Sequence, residues 1–276
     1  MPEISLEDVA VSFGGVRALR GVTLEIGSGE QLAVIGASGA GKSTLFRALT
    51  RSVALGGGRV TAGGRDLYAL SKKDPRAARR RVGTIYQAYN LIPQLPAGIN
   101  AALGEVGGMG SVMTLRTLLA GPDAGLSKRV RSALERVGVG DKAGARTADL
   151  SGGQQQRVAV ARLLVQRPDL VLADEPFAAV DPVTTEKVLE TLLDLNREGA
   201  TLLVNLHDVE MARRFPRVVA LRGGRVAFDG PPERLTKGAL AEIYAGDPGR
   251  EERPEPDRRR QAPISIAEGR DGVSAH

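Results

Sequence analysis

The stretch QLAVIGASGAGKST, residues 31–44, decides the fold. Its first five residues are an apolar run of the length of a buried strand. The run leads into Gly36-Ala37-Ser38-Gly39-Ala40-Gly41-Lys42-Ser43, which fits the spacing G-x-x-x-x-G-K-[ST], and a helical pattern follows over Ser43 to Thr50. Strand, glycine-rich loop and helix in that order build an anion nest, because successive backbone N–H groups turn inward at a helix N-terminus. The glycines allow the tight turn and the close approach of backbone to ligand. Lys42 is placed to reach the β- and γ-phosphates of a nucleoside triphosphate, and the Ser43 hydroxyl to reach Mg²⁺. Thr44, next along the helix, is a further candidate phosphate contact.

A loop of this kind needs a carboxylate for the cation at the end of a neighbouring strand. Leu170-Val171-Leu172-Ala173 is wholly apolar and ends in Asp174-Glu175. Asp174 is the candidate Mg²⁺ partner. Glu175 projects differently and can take a proton from an attacking water. Leu202 to Leu206 is a third apolar run, and His207 follows it.

Outward from these runs, strand and helix patterns alternate, which implies a parallel sheet with helices on its faces. Ile4 to Phe13 and Leu19 to Ile26 read as antiparallel opening strands, a small β subdomain beside that sheet. Further strands are expected at Arg59–Thr61 and Val82–Gln87, with a polar, basic helix near Ser71–Arg81. From about residue 90 to 165 the pattern turns helical, and Gly104 to Gly110 is expected to be irregular. Val183–Asn196 reads as a helix. Val218–Leu221 and Arg225–Phe228, split by Gly223-Gly224, read as a hairpin. The tail 248–276 is rich in Arg, Glu and Pro and is expected to be disordered. There are no internal repeats.

Composition narrows the function. The 276 residues contain no cysteine, which removes disulfides and thiolate metal sites. No apolar run reaches the ~18 residues of a membrane-spanning helix, and no secretory signal is visible. The net charge is +6 and the pI near 9.9, yet aromatics are only 3%. A basic chain without stacking platforms gives little support to nucleic-acid binding. Arg79, Arg80 and Arg81 read as a solvated helix face.

The segment Leu150-Ser151-Gly152-Gly153-Gln154, followed by Gln155-Gln156-Arg157, narrows the class further. Ser151 precedes a helix over Gly153–Val165, so free N–H groups behind a serine make a second anion site. The string resembles the signature of the ABC ATPases, which implies a P-loop NTPase core binding ATP and Mg²⁺. The resemblance covers about residues 4–247 and assigns further roles. Gln87 resembles the glutamine that contacts Mg²⁺ and the attacking water. Asp181 resembles the aspartate of the D-loop, and His207 the histidine near the γ-phosphate. Phe13 resembles the aromatic that stacks on adenine, although a core position fits it equally well. The family also implies a head-to-tail homodimer. In it, the phosphate loop of one chain and the Ser151 loop of the other hold each ATP.

One cassette without spanning helices fits a multi-subunit system on the cytoplasmic face of a membrane, with permease subunits and an extracytoplasmic solute-binding protein. The strings Gln87-Ala88-Tyr89-Asn90-Leu91-Ile92, Val204-Asn205-Leu206-His207-Asp208-Val209-Glu210 and Phe228-Asp229-Gly230-Pro231-Pro232 resemble the phosphonate-import ATPases. The expected function is therefore ATP hydrolysis that drives import of phosphonates or a related phosphorus-containing anion. Import of another solute and export or lipoprotein release share every catalytic motif. DNA-repair and ribosome ATPases usually carry paired cassettes, a long coiled coil or zinc-binding cysteines, and none is here. The signature string argues against a P-loop kinase, and no N-K-x-D follows Asp174-Glu175 to support a GTPase.

Overall fold

Alternation along the first strands dictates how the chain starts. In a computed structural model, which describes residues 3–69, 81–86, 89–108, 111–177 and 181–245, strand β1 (Ile4–Phe13) pairs antiparallel with β2 (Val16–Ile26). Ile4, Leu6, Val9 and Val11 of β1 are fully buried. Leu6 and Val9 are an odd number of residues apart and would face opposite ways on a regular strand. Asp8, at φ 48°, sits in a bulge between them that returns Val9 to the buried face. β2 begins at Val16, three residues before the expected Leu19, because Gly14 and Gly15 close a tight hairpin.

β4 (Gly57–Ala62) and β5 (Arg65–Asp66) complete an antiparallel sheet in the order β2-β1-β4-β5. The second sheet holds β3 (Gln31–Ile35), β6 (Val82–Ile85), β7 (Leu170–Asp174), β8 (Thr201–Asn205), β9 (Arg217–Arg222) and β10 (Arg225–Gly230). Its order is β10-β9-β3-β8-β7-β6, parallel except for β10. Strands covered on both faces need no alternation, so β3, β7 and β8 read as continuous apolar runs. One face, including Leu32, Val34, Leu172 and Leu203, packs with the antiparallel sheet and with α1 (Lys42–Leu49). The other face, including Ala33, Val171, Val204 and Ala220, packs with the helices that follow.

The helices described after α1 are α2 (Ala97–Ala102), α3 (Ser111–Ala120), α4 (Ala124–Arg136), α5 (Gly152–Gln166), α6 (Pro182–Arg197), α7 (Val209–Ala212) and α8 (Lys237–Tyr244), of which all but α3 contribute to that packing. Asp123 caps α4 by accepting from the Leu126 amide at 2.8 Å, and Thr236 caps α8 through the Ala239 amide.

Three expectations are corrected. Residues 104–108 are not irregular but belong to a 3-10 helix, Leu103–Gly108. Its Gly104 lies so close to α5 that a Cβ there would come within 2.2 Å of the Arg162 carbonyl oxygen. That glycine marks helix contact, not looseness. Strand β6 stops at Ile85, short of Gln87. Phe13, for which a core position was open, is 44% exposed at the tip of the first hairpin. The basic helix expected near residues 71–81 falls outside the described residues except for Arg81, which pairs with Asp169 at 2.6 Å. Gln87, Ala88 and the tail 248–276 also lie outside them.

Candidate functional site

The carboxyl ends of β3, β7 and β8 meet at one edge of the parallel sheet, where ligands bind in this architecture. β3 delivers the loop 36–41. Gly36 has φ 142°, and a Cβ on it would come within 2.2 Å of the Leu221 carbonyl oxygen. Only glycine lets the loop leave the strand this close to β9. The loop closes on itself through the Ala40 amide, which donates to the Ala37 carbonyl at 3.1 Å. The turn between β9 and β10 braces it from behind, with the Gly224 amide donating to Ala40 O at 3.0 Å. Gly41 ends the loop in left-handed geometry at the N-cap of α1 with no side-chain cap. The first N–H groups of α1 therefore have no intrahelical acceptor and face the loop's opening.

Lys42 is buried, and its Nζ donates to Gly36 O at 2.7 Å and Ala37 O at 3.2 Å. Burial lowers its pKa, while the carboxylates of Glu175 and Asp174 pull the other way. Sequence-distant Lys42, Asp174 and Glu175 are thus within electrostatic reach of one another. Ser43 is exposed beside Lys42, and Thr44 is buried.

β7 and β8 run in parallel register with Asp174 opposite Asn205. The Asn205 side-chain Nδ2 donates to Asp174 Oδ1. Asp174 Oδ2 makes no hydrogen bond to the described residues. Glu175 takes φ 53°, and its amide donates to Asn205 O at 3.1 Å. Its Oε1 lies 2.5 Å from His207 Nε2. The two adjacent carboxylates thus have different partners, Asn205 for Asp174 and His207 for Glu175, and the left-handed conformation of Glu175 is an uncommon one for a non-glycine residue. Glu175 and His207 border a cavity of about 250 Å³, whose other walls include Phe177, Thr185 and Met211.

A second group forms around the start of α5. Ser151 is its N-cap, accepting from the Gln154 amide at 3.3 Å, while the Gln154 side chain accepts from the Ser151 amide at 2.9 Å. This capping box uses the serine oxygen as acceptor and leaves its proton free to donate outward. Leu150 is buried beneath it, and Gln155 Nε2 anchors the Leu150 carbonyl at 2.9 Å. Gly152 and Gly153 keep the helix start open to neighbours. A Cβ on Gly153 would be 3.9 Å from Asp181 Oδ2. Asp181 caps α6, accepting from the Thr184 amide at 2.9 Å and the Thr184 hydroxyl at 2.6 Å. Those two bonds, the hydroxyl first, hold its carboxyl below the usual range. Among the described residues no hydrogen bond or ion pair joins Ser151 or Asp181 to the loop 36–44 of the same chain.

Two contacts escaped the sequence reading. Asn205 appears there only inside a family string, with no role. Arg162, in the middle of α5, donates to Asn90 O at 2.7 Å and Tyr89 O at 3.3 Å, and so grips the segment next to Gln87. Both contacts are long-range, 31 residues apart in the first case and 72 or 73 in the second, and no local pattern announces them.

Comparison with known proteins shows the family. Residues 19–178 match a family described as ABC transporter. A phosphonates import ATP-binding protein, PhnC, of Caulobacter vibrioides is 42% identical over 249 residues, covering 88% of this chain and 93% of that protein. One from Pseudomonas aeruginosa is 43% identical over 251 residues, covering 88% and 89%. A longer relative from Anaeromyxobacter dehalogenans is 44% identical over 255 residues, which is 90% of this chain but 50% of the relative. This chain spans about half the length of that protein. Among solved structures, the dimeric bacterial ABC transporter cassette MJ0796 superposes with a TM-score of 0.74 at 32% identity, covering 83% of this chain and 98% of that one. The same cassette in a dimeric post-hydrolysis state bound to ADP and Pi gives 0.74 at 31%.

Proposed function

The chain belongs to the ABC transporter ATP-binding family and binds and hydrolyses ATP, and from that premise we propose that it energises a multi-subunit importer for phosphonates or a related phosphorus-containing anion. The observation that carries the chemistry is the convergence of Lys42, Asp174, Glu175 and His207 at the mouth of one glycine loop. The names of the relatives support the cargo.

In this reading the amides of residues 36–44 and the Lys42 ammonium hold the triphosphate. To do so, Lys42 exchanges its two carbonyl partners for phosphate oxygens. Phe13, exposed at the hairpin tip, stacks on adenine. Asp174 fits a magnesium ion: it is a hard oxygen donor at a strand end, with one oxygen fixed by Asn205 and the other unbonded. Ser43 and Gln87 would supply further oxygens. Bound there, magnesium would neutralise charge on the β- and γ-phosphates. Glu175 accepts the proton of the attacking water. His207 Nε2 holds the Glu175 carboxylate in place.

Ser151 donates its free hydroxyl proton to the ATP of a partner subunit in an isologous homodimer, with Asp181 at the same interface. This assigns a role to the outward-facing cap of α5. The ATPase domain comprises residues 1–247, with a helical insertion at about 90–165. Among the described residues no helix is long and apolar enough to cross a membrane. Permease subunits and an extracytoplasmic solute-binding protein would supply the path and the choice of cargo, and would hold this subunit at the cytoplasmic face.

The test is an affinity pull-down of the Glu175→Gln variant with ATP from its native membrane, read by mass spectrometry. A polytopic permease together with a phosphonate-binding protein is the expected catch. A permease with a binding protein for an unrelated solute would overturn the cargo. Ribosomal or DNA-repair proteins without a permease would overturn transport.

A further inference from the structure

Asn205 is fully buried on β8, between β3, which leads into the phosphate loop, and β7, which carries the two carboxylates. Val34 is its register neighbour on one side and Asp174 on the other. Alternation along β8 puts it on the same face as Leu203, which belongs to one buried cluster with Leu32, Val34, Leu172 and, from α1, Leu45 and Leu49. An apolar residue would fit that face. The sequence instead places a carboxamide there. Its nitrogen donates to Asp174, and its Oδ1 is buried with no hydrogen-bond partner among the described residues. A buried acceptor without a donor costs stability that a leucine would not. Its backbone carbonyl also holds the amide of Glu175 at 3.1 Å. One residue therefore bonds the carboxylate of Asp174 and the backbone amide of Glu175.

We propose that Asn205 is a positioning residue of the magnesium–nucleotide site: its amide nitrogen fixes the carboxylate of Asp174, and its unpaired oxygen is an acceptor for a water brought in by the cation. The choice of side chain follows from charge. A carboxamide donates to Asp174 without competing for the cation, as lysine or arginine would. It also adds no second negative charge that would press Asp174 towards its protonated form. Partners that orient a metal ligand commonly set metal affinity by 10-fold or more. The proposal rests on Asp174 as the magnesium carboxylate.

The experiment measures binding of a fluorescent ATP analogue to the full chain, titrated with Mg²⁺ and repeated in EDTA, alongside thermal melting without nucleotide. Asn205→Leu removes both the donor and the unpaired oxygen and keeps the branched shape of the side chain. We expect it to need about 10-fold more Mg²⁺ for half-saturation, with affinity in EDTA unchanged and the melting temperature equal or higher. Asn205→Ser, which restores a short donor, should recover part of the Mg²⁺ response and guards against a leucine variant that fails to fold. A merely structural role would lower the melting temperature and weaken binding equally with and without Mg²⁺, and either that pattern or an unchanged Mg²⁺ titration overturns the proposal. Asp174→Asn run in parallel separates the two ideas. If it loses the Mg²⁺ response while Asn205→Leu keeps it, Asn205 alone is misassigned. If Asp174→Asn also keeps it, the reading of Asp174 fails.

Discussion

Glu175 combines a left-handed backbone, at φ 53°, with a carboxylate that lies 2.5 Å from His207 and within electrostatic reach of Lys42. Such a conformation disfavours a residue with a Cβ by about 1 kcal/mol and persists where surrounding bonds hold it, often at functional positions. Here the holding bonds are its amide to Asn205 and its carboxylate to His207. Glu175→Gln keeps the size and the backbone but removes the group that can take a proton. It should retain ATP binding and lower hydrolysis at least ~100-fold, checked by phosphate release beside equilibrium binding. Turnover at the wild-type rate would remove Glu175 from the role of base. Which two carboxylates to inspect was legible from Asp174-Glu175 after an apolar run. That Glu175 projects differently was legible too, but the partners that receive the two side chains, Asn205 and His207, were not, because they lie 31 and 32 residues away.

At the scale of elements, the ends of helices were more legible than the ends of strands. Ser151 was read at a helix start and is the N-cap of α5, and the helix expected over Val183–Asn196 runs from Pro182 to Arg197, capped by Asp181. β6 depends on its neighbour β7 and ends at Ile85, opposite Ala173. Helix α1 shows a further dependence. Its end is held by Tyr68, whose hydroxyl shares its one proton between the Ala48 carbonyl at 3.0 Å and that of Val53 at 2.9 Å. Burial pushes the Tyr68 phenol up to about 12 from the usual 10.0. Tyr68→Phe leaves both carbonyls without that donor and should destabilise the chain by about 1 kcal/mol, read from urea unfolding at pH 8. The pH dependence has a defined sign. A raised folded-state value favours the folded chain fully below the unfolded value near 10, and that advantage is lost as pH rises towards 12. The gap between wild type and Tyr68→Phe should therefore narrow above pH 10. A gap that widened there would contradict the buried, neutral phenol.

For the molecule as a whole, Arg217 ties the two sheets together. At the start of β9 it donates to Asp229 on β10 through two nitrogens, each at 2.7 Å. It also donates to Glu30 at 2.8 Å and to the Glu25 carbonyl on β2 at 2.9 Å. The Asp229 bonds, then Glu30, raise its pKa well above the usual value against the effect of burial. Arg217→Met keeps the stem but removes the cation that faces Asp229 and Glu30, and should lower the stability of the chain by about 2 kcal/mol. Arg59, exposed and paired with Glu7 across the antiparallel sheet, is the control. Arg59→Met should leave the guanidinium-chloride midpoint within experimental error. Equal effects from the two would remove Arg217 as the tie between sheets.

By itself the sequence determined those features in which neighbours along the chain suffice: the glycine loop between strand and helix, the helix caps, the apolar runs that become β3, β7 and β8, and the identity of Lys42, Asp174, Glu175, Ser151 and His207 as residues to place. Each follows from a period or from a hydrogen bond that closes within a few residues. The tertiary structure alone decided that β3 lies between β8 and β9, that Gly104 is pressed against α5, that Arg162 holds the backbone of residues 89 and 90, and that Asn205 stands between Asp174 and Glu175. These depend on which strands become neighbours, and strand order is fixed by burial of both sheet faces together, which no local stretch of sequence contains.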